Sequence, residues 1–124
     1  MNEQLIMLEH ELYTIIEITD NAVRVQLNPE SAIFCGHFLG NPITPGVCQV
    51  GIIGELAGRM CGGKLSLLEI KTLKFTEILR PSDDEVMVRF DKLEETVGEM
   101  AAKGAIMSDG QVFTKFSLIF EKEA

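Results

Sequence analysis

Along most of this chain, apolar and polar residues alternate. Over one long stretch they do not. Val23, Val25 and Leu27 alternate with Arg24, Gln26 and Asn28, the period of a strand with one buried face. Leu12 to Ile18 is rich in β-branched residues and is separated from that strand by Asp20-Asn21, so the two predict a hairpin that Pro29 ends. In the second half, Val86, Val88 and Phe90 alternate with Met87, Arg89 and Asp91, and Phe116, Leu118 and Phe120 with Lys115, Ser117 and Ile119. Leu65 to Ile78 is long enough for one extended, bent strand, and Arg80 to Asp84 is a loop. Glu99 to Met107 fits a strand, although its alanines suit a helix as well. Asp109-Gly110 is a hairpin turn signal.

The exception is Val47 to Cys61, where the only polar side chains are Gln49, Glu55 and Arg59. A helix this apolar is expected to be covered nearly all round, and it is too short to span a membrane. Thr44 followed by Pro45 predicts its start, with a hydroxyl cap and a proline at the first helical position. Gly62-Gly63 predicts its end. Ser31 to Cys35 suggests a short helical turn, and Met1 to His10 a short helix or an extended arm. The expected architecture is α+β, an antiparallel sheet wrapped around one long central helix, in a single domain over 1–124.

Composition narrows the function. A chain of 124 residues with 46% hydrophobic and 24% charged residues builds one ordinary globular core. A net charge of −8 argues against nucleic acid as partner. Cys35, Cys48 and Cys61 contain no CxxC pair and read as buried thiols of a reducing compartment. With no basic, apolar leader in Met1 to Leu8, the expected location is the cytoplasm.

The candidate chemistry sits just before the helix, in His37-Phe38-Leu39-Gly40-Asn41-Pro42-Ile43-Thr44-Pro45-Gly46. The run H-F-x-G-x-P-x-x-P-G-V, His37 to Val47, resembles the signature of the β-hydroxyacyl-acyl-carrier-protein dehydratases, which have the hotdog fold. A weaker likeness covers most of the chain, including Lys74-Phe75 and Leu79 to Asp83. The resemblance implies loss of water from a 3-hydroxyacyl thioester on acyl-carrier protein, giving the trans-2-enoyl thioester, with no metal or organic cofactor. His37 would be the base and the Gly46 backbone N–H would hold the thioester oxygen. Phe38, Gly40, Asn41, Pro45, Val47 and Gly51 would line the substrate. A homodimer or dimer-based oligomer is implied too, and Lys71, Lys74 and Arg80 are candidates for docking an acidic carrier protein.

The chain departs from the family at two places. Leu39 replaces the usual loop proline, and Gly51 stands where the family carries a helix carboxylate. Glu55, one turn on, is the substitute acid, direct or through water, or else it pairs with Arg59 at i,i+4. Gly51, Gly54 and Gly58 allow close packing, or shape a tunnel for the acyl chain. His10 is expected in solvent, and Cys48 is not expected to act as a nucleophile. Two other functions fit: a hotdog thioester hydrolase, in which Glu55 or Asn41 orients water, and a non-catalytic acyl-binding or partner subunit.

Overall fold

The structure is a computed structural model and describes residues 8–30, 44, 46–80 and 85–123. In chain order its elements are β1 (Tyr13–Ile18), β2 (Ala22–Leu27), α1 (Gly46–Cys61), β3 (Leu65–Phe75), β4 (Glu85–Thr96), β5 (Glu99–Ser108) and β6 (Gln111–Lys122). The strands form one antiparallel sheet in the order β1-β2-β4-β5-β6-β3. The alternating stretches place their apolar sets inward: Val23, Val25, Val88, Phe90, Leu118 and Phe120 are buried with Ile52, Ile53, Leu56 and Ala57 of α1. Phe90 and Phe116 meet edge to face at 5.8 Å.

The segment Glu99 to Met107, open between helix and strand, is strand. It pairs with β4 on one side and β6 on the other, so two ladders take up its backbone groups and override the helix preference of alanine. Asp109 and Gly110 both take positive φ, 51° and 80°, as the tight β5–β6 turn requires. Helix α1 stops as expected. Gly62 has φ 84°, and the N–H groups of Gly62 and Gly63 both donate to the Gly58 carbonyl.

Three expectations need correction. Strand β3 ends at Phe75 rather than Ile78, because Thr76 and Glu77 turn their N–H groups to the Phe113 carbonyl. Helix α1 is not covered all round: it buries Gln49, Ile52, Ile53, Leu56, Ala57 and Gly58, while Val47 is 79% exposed. The thiols of Cys48 and Cys61 are free but only half-buried, and Cys35 lies outside the described residues. Among the described residues, no helix is long and apolar enough to cross a membrane.

Candidate active site

The sheet order leaves the start of α1 beside the end of β3. Two places on the helix carry the candidate chemistry: its first turn, and the face that holds Gly51 and Glu55.

At the first turn, the Phe75 ring lies over Gly46. A Cβ on Gly46 would stand 2.7 Å from Phe75 Cζ, so no larger residue fits without displacing the ring. The close approach that sequence assigned to substrate is thus taken by a half-exposed aromatic ring. Thr44 does not cap the helix with its hydroxyl. Its N–H donates to the Leu79 carbonyl at 2.7 Å, and its carbonyl accepts from Gln49 Nε2 at 3.2 Å. Thr44 Oγ1 is buried and has no hydrogen-bond partner among the described residues. Gln49 is held from the other side by Thr114, whose hydroxyl donates to Gln49 Oε1 at 2.5 Å. Thr44, Gly46, Gln49 and Phe75, with Thr76 to Leu79, line a cavity of about 390 Å³. Burial pushes the nearby Cys48 thiol up from its ordinary value, opposing what a helix N-terminus does to a thiol.

At mid-helix the polar groups are satisfied. The Glu55 carboxylate accepts from Leu8 N–H at 2.7 Å, Glu9 N–H at 3.1 Å and the Tyr13 hydroxyl at 2.8 Å. The expected i,i+4 pair is not formed, since Arg59 reaches Glu9 instead, at 3.2 Å. Glu55 thereby ties the segment before β1 down onto the helix. Leu8 is carried with it: a Cβ on Gly51 would stand 2.7 Å from Leu8 Cδ1. The room that Gly51 leaves is therefore taken by an apolar side chain, not open to a relaying water. The other two helix glycines serve packing in the same way. A Cβ on Gly54 would meet the Phe120 ring at 3.1 Å, and one on Gly58 the Gly63 carbonyl oxygen at 2.5 Å. A groove of about 420 Å³ runs along this face, with Gly51, Gly54 and Gly58 on the helix side and Leu65, Leu67 and Phe120 across from it. Burial, and then the bond to Glu55, hold the Tyr13 phenol well above its usual ionisation range.

Of the remaining predicted residues, His37, Phe38, Gly40, Asn41 and Pro45 lie outside the described residues, as do Leu39 and Ser31 to Cys35. His10 is solvent-exposed, with φ 75°. Lys71, Lys74 and Arg80 are exposed, and Lys74 stands opposite Lys115 across the β3–β6 ladder. Sequence reasoning missed the Thr44–Gln49–Thr114 cluster. Its signal was Gln49, a polar residue on the buried side of an otherwise apolar helix.

Comparison with known proteins decides the family. Residues 16–111 match the model of the ApeI-like family, ApeI dehydratase. The chain belongs to the ApeI-like dehydratase family. This dehydratase is also 30% identical over 105 residues to the 3-hydroxyacyl-[acyl-carrier-protein] dehydratase FabZ of Latilactobacillus sakei subsp. sakei (strain 23K), covering 78% of this chain and 74% of that protein. Among solved structures it resembles the dehydratase heterocomplex ApeI:P from Xenorhabdus doucetiae, with a TM-score of 0.67 and 19% identity over 91% of this chain and 99% of that one. It also resembles a hypothetical thioesterase with coenzyme A from Streptococcus pneumoniae TIGR4, with a TM-score of 0.62 and 14% identity over 93% and 91% of the two chains. At such identities these structures speak for the fold, which is the hotdog fold. The fold itself is shared by different chemistries.

Proposed function

We propose that this dehydratase removes water from 3-hydroxyacyl thioesters on acyl-carrier protein, giving trans-2-enoyl thioesters for fatty-acid or related lipid synthesis. The family match across residues 16–111 carries the reading. His37 takes the C2 proton. The Gly46 N–H, at the positive end of a 16-residue helix, holds the negative charge that develops on the thioester oxygen. On α1 the only carboxylate is Glu55, and hydrogen-bond donors already occupy it. The imidazolium formed on His37 therefore returns its proton to the C3 hydroxyl, which leaves as water. Proton and electron pair balance with no metal or organic cofactor. The acyl chain runs along the groove floored by Gly51, Gly54 and Gly58.

The active unit in this reading is a dimer. Strand β3 is a sheet edge whose Leu67, Leu68 and Ile70 are 45%, 52% and 49% exposed, an apolar edge that pairing with a second chain would cover. The carrier protein docks at Lys71, Lys74 and Arg80. The juxtaposition of Lys74 with Lys115 supports this, because like charges directly opposite cost stability and suit an acidic partner. The reaction takes place in the cytoplasm.

A second reading is that this chain is the partner subunit of another dehydratase chain. Leu8 filling the space over Gly51 favours it. One experiment separates the readings: incubate the purified protein with 3-hydroxyacyl-acyl-carrier protein, then measure enoyl product and free thiol. Enoyl product supports dehydration by this chain. Free thiol alone marks a hydrolase. Neither product, with activity restored on adding a second hotdog chain, marks a partner subunit.

A further inference from the structure

A buried hydroxyl without a partner is a cost that a protein of this size has reason to shed. The penalty for an unsatisfied buried polar group is avoided by an apolar isostere, and valine is threonine's. Thr44 is 4% exposed, and its Oγ1 is unpartnered among the described residues while its backbone N–H and carbonyl are both engaged. Threonine also fails to serve as the helix cap that would justify it. What remains is its position. It lines the cavity of about 390 Å³ at the start of α1, together with Gly46, whose N–H belongs to the set that a helix leaves unpaired at its first turn. Gln49 fixes Thr44 from behind through its carbonyl, and Thr114 fixes Gln49. Such support holds a functional group in place more firmly than a loop residue needs.

We infer that the Thr44 hydroxyl is a substrate-contacting catalytic group, the second donor to the thioester oxygen beside the Gly46 N–H. This rests on the proposed dehydration. A thioester oxygen that gains charge as the C2 proton leaves is best held by more than one preorganised donor. In the structure the hydroxyl is closed off from solvent. Contact therefore needs the lining to open, and its exposed part, the Phe75 ring over Gly46 and the Thr76 to Ile78 segment, is what can move aside. When the thioester enters, the hydroxyl gains the partner that it lacks.

The test is a pair of variants read in three ways. Thr44→Val removes only the hydroxyl, and Thr44→Ser keeps it. If the hydroxyl waits for substrate, Thr44→Val raises the unfolding midpoint by about 3–5 °C, because a buried unsatisfied group is gone. At the same time it lowers kcat on a 3-hydroxyacyl-coenzyme A by about 10²-fold with little change in KM, the scale of losing one oxyanion donor. Thr44→Ser holds kcat within about threefold of the parent. A structural hydroxyl gives the opposite result. A lowered midpoint or a failure to fold in Thr44→Val overturns the inference, and so does an unchanged kcat. Affinity for a trans-2-enoyl-coenzyme A, by calorimetry, keeps the two readings apart. If the parent does not dehydrate but binds this thioester, and Thr44→Val weakens binding about three- to tenfold, Thr44 stands as a contact and dehydration falls. If the parent binds none, both fall.

Discussion

Thr44 and Glu55 flank the same stretch of helix, yet they are in opposite states. Glu55 is the only acidic side chain on α1 and looks from sequence like the group most in need of a catalytic role. In the fold it receives the Leu8 and Glu9 N–H groups and the Tyr13 hydroxyl. Thr44 looks from sequence like an ordinary helix cap, and in the fold its hydroxyl has no partner among the described residues. The bonds that Glu55 accepts account for it structurally, whereas a buried hydroxyl without a partner calls for another explanation. Both lie beside open space, the groove along the mid-helix face and the cavity at the first turn, so what separates them is the state of the polar group and not the room next to it.

The largest effect is expected outside both places. His37→Ala should lower kcat by about 10²–10⁴-fold, the range for losing a general acid–base group, and leave the circular dichroism spectrum and unfolding midpoint close to the parent's. Turnover retained in that folded variant would remove the base from the mechanism and leave the helix start with no reaction to assist.

Next comes Glu55→Gln. An amide cannot accept from the Leu8 and Glu9 N–H groups and the Tyr13 hydroxyl as a carboxylate does, and hydrogen bonds to a charged acceptor are the stronger kind. We expect a stability loss of about 1–3 kcal/mol by urea unfolding, with turnover per folded molecule unchanged. A fall in turnover of about 10²-fold at unchanged stability would reverse the comparison and make Glu55 the acid after all.

Gly51→Glu probes the same face through stability alone. Its Cβ would meet Leu8 Cδ1 at 2.7 Å, so the substitution must displace the Leu8 side chain. The single variant should be less stable than the parent by about 1–3 kcal/mol, the usual cost of overpacking. Leu8→Ala should recover part of that loss, a coupling that independent sites do not show. Strict additivity in the four-member cycle would mean that Leu8 does not lie over Gly51.

Most of the fold was legible because it rests on period. Val23, Val25 and Leu27, or Phe116, Leu118 and Phe120, declare a buried face by alternation alone, and all six are buried. The hairpin at Asp109-Gly110 was equally plain, since the turn requires the φ values that those residues tolerate. Glu99 to Met107 was ambiguous because only its neighbours in space decide an alanine-rich segment. The exposure of Val47 was hidden for the opposite reason, as an apolar side chain does not state whether this chain or another covers it. At the site, the loop signature brought out Gly46 as a run of residue types in register. The partners of Glu55 were not legible, because two are backbone N–H groups, which carry no residue signature. Nor was the state of Thr44: a threonine before a proline looks the same whether or not its hydroxyl finds the helix.

The smallest effect is confined to high pH and reads the Glu55 contact directly. Tyr13 is the single tyrosine, and there is no tryptophan, so one signal reports one hydroxyl. Its side chain is 1% exposed and donates to Glu55 Oε1 at 2.8 Å. Burial disfavours the phenolate most, followed by the hydrogen bond to Glu55 and the negative charges of Glu55 and Glu9, while Arg59 acts weakly the other way. The folded protein therefore keeps this proton beyond the pH at which an unfolded chain loses it. Below about pH 10 both states carry the proton and nothing changes. Above it the unfolded state binds fewer protons, so unfolding becomes easier as pH rises. The contribution of Tyr13 is complete below the unfolded value and is lost progressively above it. In an absorbance titration the phenolate band should appear only as the fold opens, well above about pH 10. In Glu55→Gln, burial remains while the carboxylate's bond and charge are gone, so the band should move down but stay above the free value. A folded parent that titrates near pH 10 would mean the hydroxyl is not held by Glu55 in solution. Glu55 would then have an oxygen free for chemistry, and the contrast with Thr44 would rest on the threonine alone.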